Sequence, residues 1–138
     1  MAPDADAVAR LLRARVGDAP VELAVAGSSM AGVIATGSTV VIEAADRPRR
    51  GEIWAFVEDD GRVVVHRVRE LDGDLVIGRG AGNPLDDDPV ARDRLVGRVS
   101  AATHGGQVRR FGAWDRRRSH VSFTLRRLLR RFRRSRSR

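Results

Sequence analysis

Two short stretches of this chain carry residue types that could do covalent chemistry together: Gly27-Ser28-Ser29-Met30, and His66 within Val63-Val64-Val65-His66-Arg67-Val68. The first is a turn of small residues that would present a serine at the end of an apolar segment. The second sets an imidazole on a predicted strand. A serine hydroxyl becomes a nucleophile only with a base beside it, and histidine is the usual base near neutral pH. Composition narrows the choice. All 26 basic residues are Arg, and Lys is absent. Arg stays protonated, with a pKa above about 12. A Ser–Lys pair is therefore excluded, and His66 is the best remaining base for Ser29.

Short segments must position these groups. Val8, Leu11, Leu12 and Val16 recur at helical spacing, with Asp4 or Asp6 near the start and Gly17 at the end, which predicts a helix over Asp6–Val16. Strands are predicted at Val21–Ala26, Thr39–Glu43, Ile53–Glu58, Arg62–Arg69, Leu75–Ile77 and Leu95–Ala102. Gly27–Gly32 reads as a loop or tight turn, Asp59-Asp60-Gly61 and Asp72-Gly73-Asp74 as hairpin turns, and Gly78–Pro89 as a long loop rich in Gly, Asn, Pro and Asp. Short strands, frequent turns and little helix between them describe a mainly β domain.

A chain of 138 residues fits one domain and can bury a core without staples. The absence of Cys removes disulfides, thiolate catalysis and Cys-based zinc sites. His66, His104 and His120 lack ligand-like spacing, so no metal and no cofactor are expected. The net charge of +8 hides an asymmetry: residues 109–138 hold 13 Arg against one acid, whereas residues 1–108 hold 13 Arg against 17 acids. The chain divides on this reading into an N-terminal helical segment (1–20), a β domain (21–108) and an Arg-rich tail (109–138). In the tail Val121, Leu125, Leu128, Leu129 and Phe132 form one apolar helical stripe with Arg on the other face. That pattern suits a basic amphipathic helix lying on an anionic membrane. Nucleic acid is the weaker reading, because Phe111, Trp114, Phe123 and Phe132 form no RNA-binding aromatic set. No secretory signal is evident: Asp4 and Asp6 stand where a basic region belongs. Residues 23–42 are uncharged but too rich in Gly, Ser and Thr for a membrane span. The expected location is cytoplasmic, with peripheral contact at the cytoplasmic membrane face.

From Val21 to Val99 the residues resemble the signal peptidase/LexA-like (S24/S26) serine peptidases, specifically a small bacterial branch without a membrane anchor. Gly27-Ser28-Ser29-Met30 is similar to the G-x-S-M nucleophile box. Gly37–Ile42 resembles the strand that follows it, and Arg50-Gly51-Glu52-Ile53 the entry to the next. Val65-His66-Arg67-Val68 resembles the box that carries the base, here His rather than Lys. Arg79-Gly80-Ala81-Gly82-Asn83, Asp86-Asp87-Asp88-Pro89-Val90 and Leu95-Val96-Gly97-Arg98-Val99 are similar to the closing boxes. Each box alone is weak; several in order are much stronger.

The resemblance implies coiled antiparallel sheets with a short N-terminal helix, and a serine endopeptidase that processes a peptide or protein precursor by acyl transfer. It implies Ser29 as nucleophile, His66 as base, and Asp87 or its neighbour Asp86 as the carboxylate that orients the imidazole. The Ser29 N–H is the natural oxyanion donor, with the Ser28 hydroxyl as a second candidate. Met30 is a candidate for the substrate pocket, although packing is its commoner use. Three positions depart from the pattern: Gly32 replaces a Pro, and Ser38 and Ala81 replace acids. Two alternatives therefore stand beside the peptidase reading: a catalytically inactive, peptide-binding relative, and a membrane- or nucleic-acid-binding protein acting through its tail. A self-cleaving repressor is disfavoured, since those relatives use Lys and carry a helical DNA-binding domain for which residues 1–20 are too short.

Overall fold

Asp4 starts the first element. Its carboxylate accepts a hydrogen bond from the Asp6 N–H at 3.1 Å, satisfying one of the donors that a helix start leaves open. In the computed structural model, which describes residues 4–112, helix α1 runs Ala5–Asp18 and ends where Ala19 turns extended. The predicted helix is present, one residue longer at its start and two at its end. Its inner face buries Ala5, Ala9 and Val16 and lays Val8 and Leu12 against the main core, while Leu11 faces outward.

The strands are β1 Val21–Ala24, β2 Thr39–Glu43, β3 Ile53–Val57, β4 Val63–Asp72, β5 Leu75–Arg79, β6 Val90–Ala91, β7 Leu95–His104 and β8 Gln107–Arg110. They form one sheet in the order β1-β2-β7-β3-β4-β5-β6, with every pairing antiparallel. Strand β7 takes β2 along one edge. Its other edge is shared, with β3 on Leu95–Arg98 and β8 on Ala101–His104. The register slips between Val41 and Ile42, between Ala55 and Phe56, and between Val68 and Glu70. Each bulge adds local twist, and the sheet is curled.

Strand β3 is buried at every residue. Ile53, Ala55 and Val57 enter the main core, while Trp54 and Phe56 turn to a second cluster with Val68, Val76 and Leu95. Covering both faces is why this strand reads as a continuous apolar run. The Asp59–Gly61 turn that follows it is closed by the Glu58 N–H donating to the Arg62 carbonyl at 2.9 Å. Hydrogen bonding from the Arg62 N–H, and then from its guanidinium, holds the Asp60 carboxyl below the usual range.

The expected fold class is the observed one, mainly antiparallel β with a short N-terminal helix. The expected C-terminal helix lies outside the described residues, as does the surface it would offer to a membrane. Two strands went unanticipated. β8 is exposed at all four residues and so shows no alternation, and β6 is two residues long at the end of a polar loop. Among the described residues, no helix is long and apolar enough to cross a membrane.

Gly97 is the seam between helix and sheet. A Cβ there would sit 2.5 Å from the Glu43 carbonyl oxygen, 2.8 Å from Ile42 Cγ2 and 3.2 Å from Val16 Cγ1. The backbone atom cannot yield without moving β2. Gly97→Ala is expected to cost about 1–3 kcal/mol, lowering the thermal midpoint by several degrees. An unchanged midpoint would mean that the strands part more readily here than their pairing indicates.

Candidate active site

Ser29 sits on a turn built from backbone hydrogen bonds. The stems of the loop after β1 are joined by the Val25 N–H donating to Ser38 at 2.8 Å and the Gly37 N–H donating to Val25 at 3.2 Å. The Thr36 hydroxyl donates to the Gly27 carbonyl at 2.8 Å. Gly27 itself has φ +83°, a left-handed conformation that residues with a Cβ rarely adopt. Beyond it the chain tightens, with Ala31 N–H on the Ser28 carbonyl and both Val33 and Ile34 N–H on the Met30 carbonyl. Met30 anchors the turn: it is 2% exposed, and its Sδ accepts the Ala81 N–H at 3.3 Å. Ser29 is left half-buried and Ser28 exposed.

His66 comes from the centre of β4, opposite Trp54 of β3 in the register. Alternation along the strand sends Val65 into the main core and His66 to the other face. There the imidazole is buried and meets Phe56 edge to face, with centroids 5.8 Å apart. The third group arrives on the loop between β5 and β6, where the Asp87 N–H donates to the Gly78 carbonyl at 2.8 Å. The three side chains form one line. His66 Nδ1 lies 2.5 Å from Asp87 Oδ2, and His66 Nε2 lies 3.0 Å from Ser29 Oγ. The carboxylate fixes the tautomer: it accepts a hydrogen bond from Nδ1–H, which leaves Nε2 as the acceptor for the serine hydroxyl.

The alternatives left open by the sequence separate here. Asp87 meets His66; Asp86 instead faces Arg69 and Arg79. Ser38 is buried in the loop stem, and Ala81 packs against the main core. The hydrogen bonds of Ser38 run to Val25 and Ala35, and that of the Ala81 N–H to Met30 Sδ. Among the described residues, no hydrogen bond engages the Ser28 hydroxyl, and no backbone acceptor in the turn takes the Ser29 N–H. Met30 serves both packing and surface, since it also borders a cleft. That cleft, of about 450 Å³, is lined by Leu23–Ala26, Val63–Val65, Glu58 and Arg62 together with Ser29 and His66. Among the described residues, no group of three or more His, Asp or Glu converges as a metal site would.

Two glycines that sequence reasoning did not single out let these elements meet. A Cβ on Gly78 would lie 3.0 Å from Asp87 Oδ2 and 3.5 Å from His66 Cβ. A Cβ on Gly80 would lie 2.5 Å from the Ser29 carbonyl oxygen and 3.1 Å from Ser29 Cβ. The visible signal was two glycines at the end of a strand, which marks a close approach of another backbone. Gly80→Ala must push the serine turn outward. A displacement near 1 Å can cost about 100-fold in rate. The expected result is a folded protein whose Ser29 reacts about 10–100-fold more slowly with a serine-directed fluorophosphonate; an unchanged rate would show that the turn can shift without losing His66.

No curated protein matches the chain. The family model described as Peptidase S24-like matches residues 11–77, a stretch that includes Ser29 and His66 and ends before Asp87. By that match residues 11–77 are similar to the S24-like peptidases, consistent with the LexA/signal-peptidase-like serine peptidase fold.

Proposed function

We propose that this protein is a serine endopeptidase that cleaves a peptide or protein precursor, with Ser29 as nucleophile, His66 as general base and then general acid, and Asp87 as the group that orients the imidazole. One observation carries the reading: the unbroken line Asp87 Oδ2–His66–Ser29 Oγ, with links of 2.5 and 3.0 Å. Both lie at or near the reach a nucleophile and its base require.

The reaction follows from that line. Ser29 Oγ attacks the peptide carbonyl carbon as its proton passes to His66 Nε2. The imidazolium that forms is stabilised by the Asp87 carboxylate, and it returns the proton to the leaving amine as the C–N bond breaks. Water, deprotonated by His66, then releases the acyl group from Ser29. The tetrahedral oxyanion needs a preorganised donor, each worth about 3–4 kcal/mol. The Ser29 N–H suits this role because the turn does not use it.

The cleft supports an extended substrate. Among the described residues β1 pairs only with β2, so its outer edge carries backbone donors and acceptors that a peptide strand can match. The cleft that holds Ser29 is lined largely by the apolar side chains of Leu23–Ala26 and Val63–Val65, which favours an apolar segment near the cut. A catalytically inactive relative draws its support from Ser38 and Ala81 standing where acids are expected. Neither position belongs to the line of three, so the losses leave the proposed chemistry intact.

A fluorophosphonate probe tests this without a known substrate. Covalent labelling of the full chain, mapped by peptide mass spectrometry to Ser29, is the expected result. No labelling, or labelling at another serine, would sink the reading.

A further inference from the structure

The loop that delivers Asp87 has an apolar anchor at its start, where Ala81 packs against the main core, and no large apolar side chain is buried after that. It runs ten residues from Gly80 to Pro89, and its one large apolar side chain, Leu85, is 72% exposed. Beyond that anchor its position is set by polar contacts. Gly82 N–H donates to Ser29 and Asn83 N–H to Gly80, both at 3.0 Å, while Arg79 Nη2 donates to the Pro84 carbonyl at 2.6 Å. The charged contacts lie next to the residue that matters. Asp86 Oδ1 is 2.6 Å from Arg69 Nε and 3.2 Å from Arg79 Nε, and the two arginine side chains are only 17% and 9% exposed.

These two arginines come from the strands that frame His66. Arg69 is the extra residue of the bulge between Val68 and Glu70 in β4, three places after His66. A bulge re-aims the side chain it carries. Arg79 ends β5, one place after Gly78, whose carbonyl holds the Asp87 N–H. One carboxylate oxygen is thereby tied to both strands. The arginine side chains are largely buried while the Asp86 carboxylate keeps 35% of its surface exposed, so these are ion pairs of partly sheltered groups, stronger than pairs between two fully exposed side chains.

We propose that Asp86 is a positioning residue: by bridging Arg69 and Arg79 it clamps the loop and aims the adjacent Asp87 carboxylate at His66 Nδ1. The proposal rests on the catalytic reading above and adds a group that acts through Asp87 without touching substrate. It separates two neighbouring acids by task, one clamping the strands and one orienting the base. A merely structural Asp86 would support stability alone.

The test measures fluorophosphonate labelling of the full chain as a function of probe concentration. It yields a maximal rate and a half-saturating concentration, with the thermal midpoint recorded for each variant. Asp86→Asn is expected to stay folded at 25 °C and to lose about 10–100-fold in maximal rate with the half-saturating concentration unchanged. Asp86→Glu, which restores the charge, is expected to recover most of the rate. Asp59→Asn, which breaks a surface pair with Arg94, is expected to label as the wild type does. A downfield proton resonance of His66 Nδ1–H is expected in the wild type and should weaken in Asp86→Asn. A folded Asp86→Asn labelled at the wild-type rate overturns the clamp, as does a loss no larger than its unfolded fraction. Should Asp86→Asn not fold, Arg69→Gln leaves Arg79 on Asp86 and is expected to lose about tenfold; an unchanged rate there overturns the proposal equally. A wild type that does not label overturns the catalytic reading instead. The imidazole proton then decides the clamp alone, supporting it if lost in Asp86→Asn and overturning it if kept.

Discussion

Ser29→Ala is expected to abolish fluorophosphonate labelling and to lower cleavage of any true substrate by about 10⁴–10⁶-fold, the loss seen when a nucleophile is removed from a unit of this kind. The fold should hardly notice. Ser29 is half-buried, and its hydroxyl has a hydrogen bond to His66; losing one such bond costs about 1 kcal/mol. The contacts that shape the turn are made by backbone atoms, among them the Ser29 carbonyl accepting from Gly82 at 3.0 Å, and alanine keeps them. Activity and stability should therefore part company, with the thermal midpoint falling by a few degrees at most. Substrate candidates can be sought by mass spectrometry of a peptide library incubated with each form. Cleavage products that persist at the same level with Ser29→Ala would remove Ser29 from the chemistry, and the inactive-scaffold reading would lead.

Asp87→Asn is expected to lower the labelling rate by about 10³–10⁴-fold. The reason is the tautomer. Asp87 can only accept at His66 Nδ1, so the ring keeps its proton there and offers a bare Nε2 to Ser29. An asparagine amide can donate to Nδ1 instead, which moves the ring proton to Nε2 and leaves the serine without an acceptor. The variant also removes the negative charge that offsets the imidazolium in the transition state. Its backbone anchor, the N–H to Gly78 at 2.8 Å, survives, so folding should be preserved. In a Ser29→Ala background the same change should add little, because residues acting as one unit are not additive. A folded Asp87→Asn that reacts at the wild-type rate would mean that another group orients His66.

Much of this was legible in the residues. Thr39–Glu43 reads as a short strand, and it forms β2 over the same span. Ile53–Glu58 reads as a strand, and β3 forms over Ile53–Val57, one residue shorter. Ser29 and His66 could be paired by elimination, because a chain without Lys or Cys has few other routes to an activated hydroxyl. Other features were out of reach. β8 has neither alternation nor a turn before it beyond Gly105-Gly106; it forms because β7 overruns β3 and leaves an edge for it to pair with. The helix-to-sheet seam at Gly97 depends on β2 passing within 2.5 Å of where a Cβ would stand, and no local pattern encodes that.

The division is sharpest at the candidate site. By itself the sequence determined which side chains were available and on which kinds of element they would stand: a serine on a small-residue turn, a histidine on an apolar strand, and three consecutive acids in a loop. Those are local properties, set by propensity and period. Choosing among Asp86, Asp87 and Asp88 was not local. Consecutive loop residues point in directions fixed by whatever grips the loop, and here the grips are long-range: the Gly78 carbonyl, and two arginines on neighbouring strands. Only the tertiary structure decided that Asp87 faces the imidazole and that Asp86 turns away from it, because contacts between residues distant in sequence select one arrangement among several that the loop alone would allow.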